Sequence, residues 1–249
     1  MKETEMIFGT RAVIEAVQAG KDIDKILIRR DLQNELAREL FGIVKTTEIP
    51  VQRVPKIKLD NLTRKNHQGV IAFISAVTYQ RLEDIVPFLF EQGKTPLILL
   101  LDGITDVRNF GAIARTCDCA GVDAIVIPAR NSVSVNADAV KTSAGALLSL
   151  PVCREQGITE AAKYLKNCGY QVIAATEKAE KNYISVDYTV PTALVLGSED
   201  RGISMETLRI CDEMVQIPIL GNIASLNVSA ATAVLTYEVV RQRNYGKEN

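Results

Sequence analysis

The sequence predicts an α/β protein in two parts: a C-terminal, mostly parallel sheet with helices on both faces, preceded by a small α/β domain. Two observations carry this. From Pro96 onward, short continuous apolar runs alternate with stretches of helical period, the pattern of strands buried on both faces. Within the first 76 residues, helical and strand patterns alternate on a smaller scale. A third observation locates chemistry. Three apolar runs end abruptly in small and polar residues, and a helical pattern begins at once.

In chain order, Thr10 to Ala19 carries Ala12, Val13, Ala16 and Val17 on one face and reads as an amphipathic helix stopped at Gly20. Lys25 to Ile28 is a short strand, and Leu36, Leu40 and Val44 give a helix over 32–44. Pro50 to Val54 and Gly69 to Ile74 are further strands. Residues 77–94 read as a connection holding one helix, Leu82 to Phe90, that ends before Gly93. The larger domain, 95–249, then supplies strands at 96–101, 124–127, 171–175, 193–196 and 214–217, and a closing helix from Ser225 to Arg243.

Hydrophobic residues make up 47% of the 249 and charged residues 24%, ordinary for a globular chain with a sizeable core. No apolar run approaches the roughly 18–20 residues of a membrane span. The start, Met1-Lys-Glu-Thr-Glu, is charged and lacks the apolar stretch of a signal peptide. A cytoplasmic protein without membrane partners is expected. Five cysteines without a CxxC pair fit reduced thiols, and a single histidine excludes a multi-histidine metal site, so no metal is expected. Residues 1–76 carry 13 Lys and Arg against 10 Asp and Glu, and the remainder 16 against 20, so a small net charge of −1 hides an uneven distribution. Arg53, Lys56, Lys58, Arg64 and Lys65 face only Asp60 as an acid. That run can meet phosphates or form a solvated surface.

The chemistry-bearing segments are Leu101 to Thr116, Leu194-Val-Leu-Gly-Ser-Glu-Asp-Arg-Gly202, and Ile217-Pro-Ile-Leu-Gly-Asn-Ile-Ala-Ser225-Leu-Asn227-Val-Ser-Ala-Ala231. No GxGxxG follows the first strand of the larger domain, so the dinucleotide fingerprint is missing where a nicotinamide-dependent oxidoreductase needs it. The glycine turn lies instead after the penultimate strand, where Ser198 could simply cap the next helix. Ser225 and Asn227 are also good N-cap residues, although the small side chains around them permit unusually close backbone packing. Arg115, seven residues after Arg108 and on nearly the same helical face, has a plain structural role open to it as an ion pair with Glu199.

Taken together, the three segments resemble the motifs of the SpoU (TrmH-like) family of RNA ribose 2′-O-methyltransferases: Asn109 and Arg115, then Gly197 and Glu199, then Ser225, Leu226 and Asn227. The similarity covers nearly the whole chain. Phe8-Gly-Thr-Arg-Ala-Val13, His67-Gln-Gly69 and Lys141-Thr-Ser-Ala-Gly145-Ala look like the branch that modifies a guanosine of large-subunit ribosomal RNA. Val107-Arg108 stands where many relatives have Pro-His.

The resemblance implies a deep C-terminal trefoil knot that binds S-adenosylmethionine through Gly197, Ile217 and Leu226. It also implies a homodimer and an RNA-binding domain over 1–76. It makes Asn109, Arg115, Glu199, Ser225 and Asn227 the catalytic set. Guanidinium groups stay protonated, so Arg115 is expected to clamp a phosphate and stabilise a developing alkoxide, oriented by Glu199 and Asn227, rather than to act as the base. His67 is expected to contact RNA or to organise its loop. The alternatives are a transfer-RNA ribose methyltransferase and a non-catalytic RNA-binding protein of the same fold.

Overall fold

The computed structural model describes residues 6–47 and 49–245. It divides into two compact units, Met1–Thr78 with Ser134–Ala137, and Tyr79–Val133 with Asp138–Asn249.

The first unit runs β1 (Met6–Phe8), α1 (Thr10–Gln18), β2 (Ile23–Arg29), α2 (Glu35–Val44), β3 (Val51–Val54), α3 (Lys56–Asp60) and β4 (Val70–Ile74). Its sheet has the order β1-β4-β2-β3, with β4 antiparallel to both neighbours and β3 parallel to β2. Val13, Ile14 and Leu40 of the two longer helices pack on Ile26, Ile28 and Ala72 of the sheet. Asn34 caps α2 by accepting from Ala37 N at 2.9 Å, so the helix starts later than the apolar spacing from Leu32 indicates. The side chain of the cap, not the apolar period, sets that boundary. The short elements β1 and α3 have no counterpart in the sequence reading.

The chain continues with α4 (Leu82–Glu91), β5 (Leu97–Asp102), α5 (Val107–Ala120), β6 (Ala124–Pro128), α6 (Ala137–Thr142), β7 (Val152–Glu155), α7 (Ile158–Asn167), β8 (Gln171–Ala175), β9 (Lys181–Asn182), β10 (Thr192–Gly197), α8 (Met205–Leu208), β11 (Glu213–Gln216) and α9 (Val228–Tyr245). Seven strands form one sheet in the order β7-β6-β5-β10-β8-β11-β9. Every pairing in it is parallel.

Alternate side chains explain the continuous apolar runs. Ile98, Leu100, Val126, Val172 and Val195 point to one face and pack against α4 and α7. Leu99, Leu101, Ile125, Ile173 and Leu194 belong to the opposite parity and are equally inaccessible. Both faces are covered, so each strand stays apolar at every position. The helix assigned by sequence to a connection, α4, is part of this core through Leu82, Val86 and Leu89. Among the described residues, no helix is long and apolar enough to cross a membrane.

Candidate active site

β5 and β10 are neighbours and end together, Gly197 opposite Asp102. Parallel pairing places both following turns at the carboxyl edge, where open α/β sheets bind ligands. The turn after β10 is tied onto β5: Ser198 N donates to Asp102 O at 3.0 Å and Ser204 N to Asp102 Oδ2 at 2.9 Å. Inside the turn, Gly202 N donates to Ser198 O at 2.8 Å and Arg201 N to Ser198 Oγ at 3.3 Å. Ser198 therefore closes its own turn, and Ser204 takes the N-cap position of α8. A Cβ at position 197 would collide with the carbonyl carbon of Gly202 and the nitrogen of Ile203. Only glycine lets the backbone double back this tightly.

Two helix starts converge on this turn. Asp106 caps α5, its Oδ1 accepting from Arg108 N and Asn109 N, each at 2.8 Å. Asn227 caps α9 by accepting from Ser229 N at 2.9 Å. Of the two cap candidates, Asn227 does the capping while Ser225 faces a cavity. Glu199 Oε1 then accepts from Asn227 Nδ2 at 2.6 Å, Asn109 Nδ2 at 3.2 Å and Val228 N at 3.4 Å. Asn227 Nδ2 also donates to Asn109 Oδ1 at 3.0 Å, which closes a ring of three side chains from three distant segments.

Beside the ring lies a cavity of about 320 Å³. Gly197, Glu199, Ile217, Ser225 and Leu226 line it, together with Thr176, Glu177 and Lys178 at the end of β8. Its wall mixes aliphatic side chains with charge of both signs, the mix expected of a small-molecule site. The 217–226 segment makes no hydrogen bond to other described residues, so its peptide groups are open to a ligand. Burial pushes the Cys211 thiol up to about 11 and Cys153 up to about 12, and raises Cys117 further. None of these three is a thiolate at neutral pH.

Arg115 does not join the ring. It lies exposed on α5 and, among the described residues, makes no hydrogen bond or ion pair. Neither the alternative ion pair with Glu199 nor the expected orientation of Arg115 by Glu199 and Asn227 is seen among the described residues, where amides occupy Glu199 instead. The helix explains why. Six residues at about 100° each carry Arg115 roughly 240° around α5 from Asn109.

In the first unit, Arg53, Lys56, Lys58, Arg64 and Lys65 are all exposed. The Arg53 guanidinium rests over the Phe41 ring at 4.7 Å and donates to Arg30 O at 3.2 Å; Lys65 sits 5.4 Å from the Phe8 ring centre. His67 is different. It is 7% exposed, with Nε2 at 2.9 Å from Asp60 Oδ1 and Nδ1 accepting from Gly69 N at 3.0 Å. Both ring nitrogens are used inside the chain, and of the two expected roles the ring takes the second, organising the loop in which Gln68 and Gly69 adopt positive φ.

Residues 96–237 match the model of the SpoU rRNA Methylase family, and residues 6–80 match that of RNA 2′-O ribose methyltransferase substrate binding. The chain belongs to the SpoU/TrmH methyltransferase family. It is 37% identical over 243 residues, 98% of each chain, to a putative TrmH family tRNA/rRNA methyltransferase of Staphylococcus saprophyticus. It is 32% identical, over 98% of each chain, to the protein of Bacillus subtilis with the same description, YacO. Among solved structures, it resembles the SpoU methyltransferase AviRb of Streptomyces viridochromogenes in complex with the cofactor AdoMet. The TM-score is 0.61 and the identity 26%, over 96% of this chain and 90% of that one.

For this SpoU family member, the sequence reading left out three parts of the site. Asp106, which fixes the start of α5, was detectable as an N-cap residue just ahead of an apolar period. Thr176–Lys178 carries no motif, and only its place after β8 brings it to the cavity. Ser229 was one of several small residues in a run, with nothing in the sequence to mark its hydroxyl.

Proposed function

We infer that this chain transfers a methyl group from S-adenosylmethionine to a ribose 2′-hydroxyl of structured RNA, with a guanosine of large-subunit ribosomal RNA as the target. The convergence of Asn109, Glu199 and Asn227 beside the β10 cavity carries the reading. The residues present suit the cofactor: Gly197, Ile217 and Leu226 would hold it, with the open peptide groups of 217–226 reading its polar edges. When bound, the cofactor supplies a methyl carbon already activated by a sulfonium.

The chain's own residues position the nucleophile. Catalysis here is largely alignment, since holding a hydroxyl in line with an electrophile is worth several kcal/mol of barrier. Asn109, Glu199, Ser225 and Asn227 form the polar wall against which a ribose would be set. Arg115, exposed and unpaired among the described residues, clamps an RNA phosphate, and the hydroxyl proton leaves through that phosphate or water. Residues 95–249 form the methyltransferase domain, and the return of 217–227 across the end of the sheet is the threaded part of a trefoil knot. Residues 1–76 bind the RNA through Arg53, Lys56, Lys58, Arg64 and Lys65. The active form is a homodimer in the cytoplasm; exposed Leu220 and Ile223 beside the cavity support a partner there.

The test is a map of ribose methylation in ribosomal and transfer RNA from a deletion strain. One guanosine methyl missing from large-subunit RNA is expected. Loss confined to transfer RNA would replace the target by the alternative that the relatives' description as tRNA/rRNA enzymes keeps open.

A further inference from the structure

We propose that Ser229 is a positioning residue for methyl transfer, its hydroxyl holding the Asn227 carboxamide firmly in the orientation that aims its NH2 group at Glu199. The proposal rests on the functional reading above.

Four contacts surround the amide. Oδ1 accepts from Ser229 N at 2.9 Å and from Ser229 Oγ at 2.5 Å; Nδ2 donates to Glu199 Oε1 at 2.6 Å and to Asn109 Oδ1 at 3.0 Å. A backbone N–H can only donate and a carboxylate only accept, so the orientation is forced at both ends. Rotating the amide by half a turn would set NH2 against N–H and oxygen against carboxylate. Asn109 is governed in the same way: its Oδ1 faces Asn227, which leaves its own NH2 for Glu199. The Ser229 hydroxyl is the second donor on Oδ1 and reinforces the facing of both amides, which supply two of the three donors on Glu199 Oε1.

The cap of α9 does not need that hydroxyl. Its orphan donor is the Ser229 N–H, which any residue but proline retains at 229. The Oγ bond is spent on Asn227, not on the helix. Removing it leaves Oδ1 with a single donor and lowers the barrier to flipping, while the fold keeps its cap.

The experiment compares wild type, Ser229→Ala and Ser229→Thr in full-length protein. Methyl transfer to RNA gives kcat and the KM for S-adenosylmethionine, thermal unfolding gives Tm, and 15N-resolved side-chain NH2 signals, assigned by their loss in Asn227→Asp, report the amide. We expect Ser229→Ala to lower kcat about tenfold, the worth of one good hydrogen bond, with KM within about twofold and Tm nearly unchanged. Its Asn227 NH2 protons should exchange faster, and Ser229→Thr should restore both readouts. Unchanged kcat in Ser229→Ala overturns the proposal, as does a fall in kcat that tracks a fall in Tm. Should wild type methylate no RNA, the functional reading fails by itself; unaltered Asn227 signals in Ser229→Ala would then still sink the positioning role.

Discussion

The Arg243 guanidinium, near the end of α9, donates from Nε to the Tyr188 carbonyl oxygen at 2.9 Å. The same group reaches Thr95 O at 2.7 Å, Val190 O at 2.9 Å and Pro96 O at 3.4 Å. A planar fork with five donors can serve four carbonyls at once, which an ammonium cannot. This ties the last helix to the entry of β5 and to the segment before β10. Arg243→Ala should cost about 2–4 kcal/mol by leaving carbonyls unpaired, and Arg243→Lys should recover less than half of that. Chemical denaturation measures both. A loss within a few tenths of a kcal/mol for the alanine variant would contradict the clamp.

Asn227→Asp separates capping from chemistry. Aspartate caps a helix as well as asparagine, so α9 should keep its start. The substitution removes the NH2 donor and sets a second carboxylate against Glu199. We expect kcat to fall by about a hundredfold or more, as for loss of a preorganised polar contact. Activity above one tenth of wild type would show that the ring is not needed for turnover.

Acid stability should report on Glu238. Its side chain is 6% exposed in α9, and hydrogen bonds from Arg241 at 2.7 and 2.8 Å hold its carboxyl below the ordinary 4.5 against the opposing effect of burial, with help from Gln242. A depressed folded-state value contributes stability that is present above the unfolded value and is lost as pH falls through the folded one. Urea midpoints measured from pH 6 downward should therefore decline once the pH passes below about 4.5. Glu238→Gln should flatten part of that decline. Parallel curves for the two proteins would rule the group out as a contributor.

The basic face and His67 make opposite predictions. Lys56→Gln with Lys58→Gln should raise the KM for RNA, leave kcat and Tm alone, and reduce the salt slope of RNA binding by about 1–2. His67→Ala should lower Tm and loosen the 66–69 loop, with the salt slope unchanged. A salt-slope change for His67→Ala without a stability loss would return that residue to the RNA interface.

The central strands were legible because burial on both faces leaves an unbroken apolar run, as in β5, β6, β8 and β10. β7 escaped because Val152-Cys-Arg-Glu155 is half polar, and β9 because two residues carry no period. The ring of Asn109, Glu199 and Asn227 was legible as motifs, although their meeting depends on β10 lying beside β5, which no spacing encodes. The surroundings of Arg115 were not legible, since helical periodicity locates a residue on its own helix but not the neighbour that it meets. For His67 the sequence left two roles open because a lone histidine near lysines gives no sign of burial; the bonds to Asp60 and Gly69 come only with the folded loop.

The position of β10 bears on how the chain reaches this state. The strand pairs with β5 on one side and β8 on the other, yet it follows both in the sequence. While the protein is being synthesised, β5 and β8 therefore face a gap at the middle of the sheet until residues 192–197 leave the ribosome. Each presents an unpaired apolar edge during that interval, a template for pairing with another chain. Nascent chains halted before Thr192 should be the aggregation-prone species, and chaperone demand should drop sharply once Gly197 has emerged.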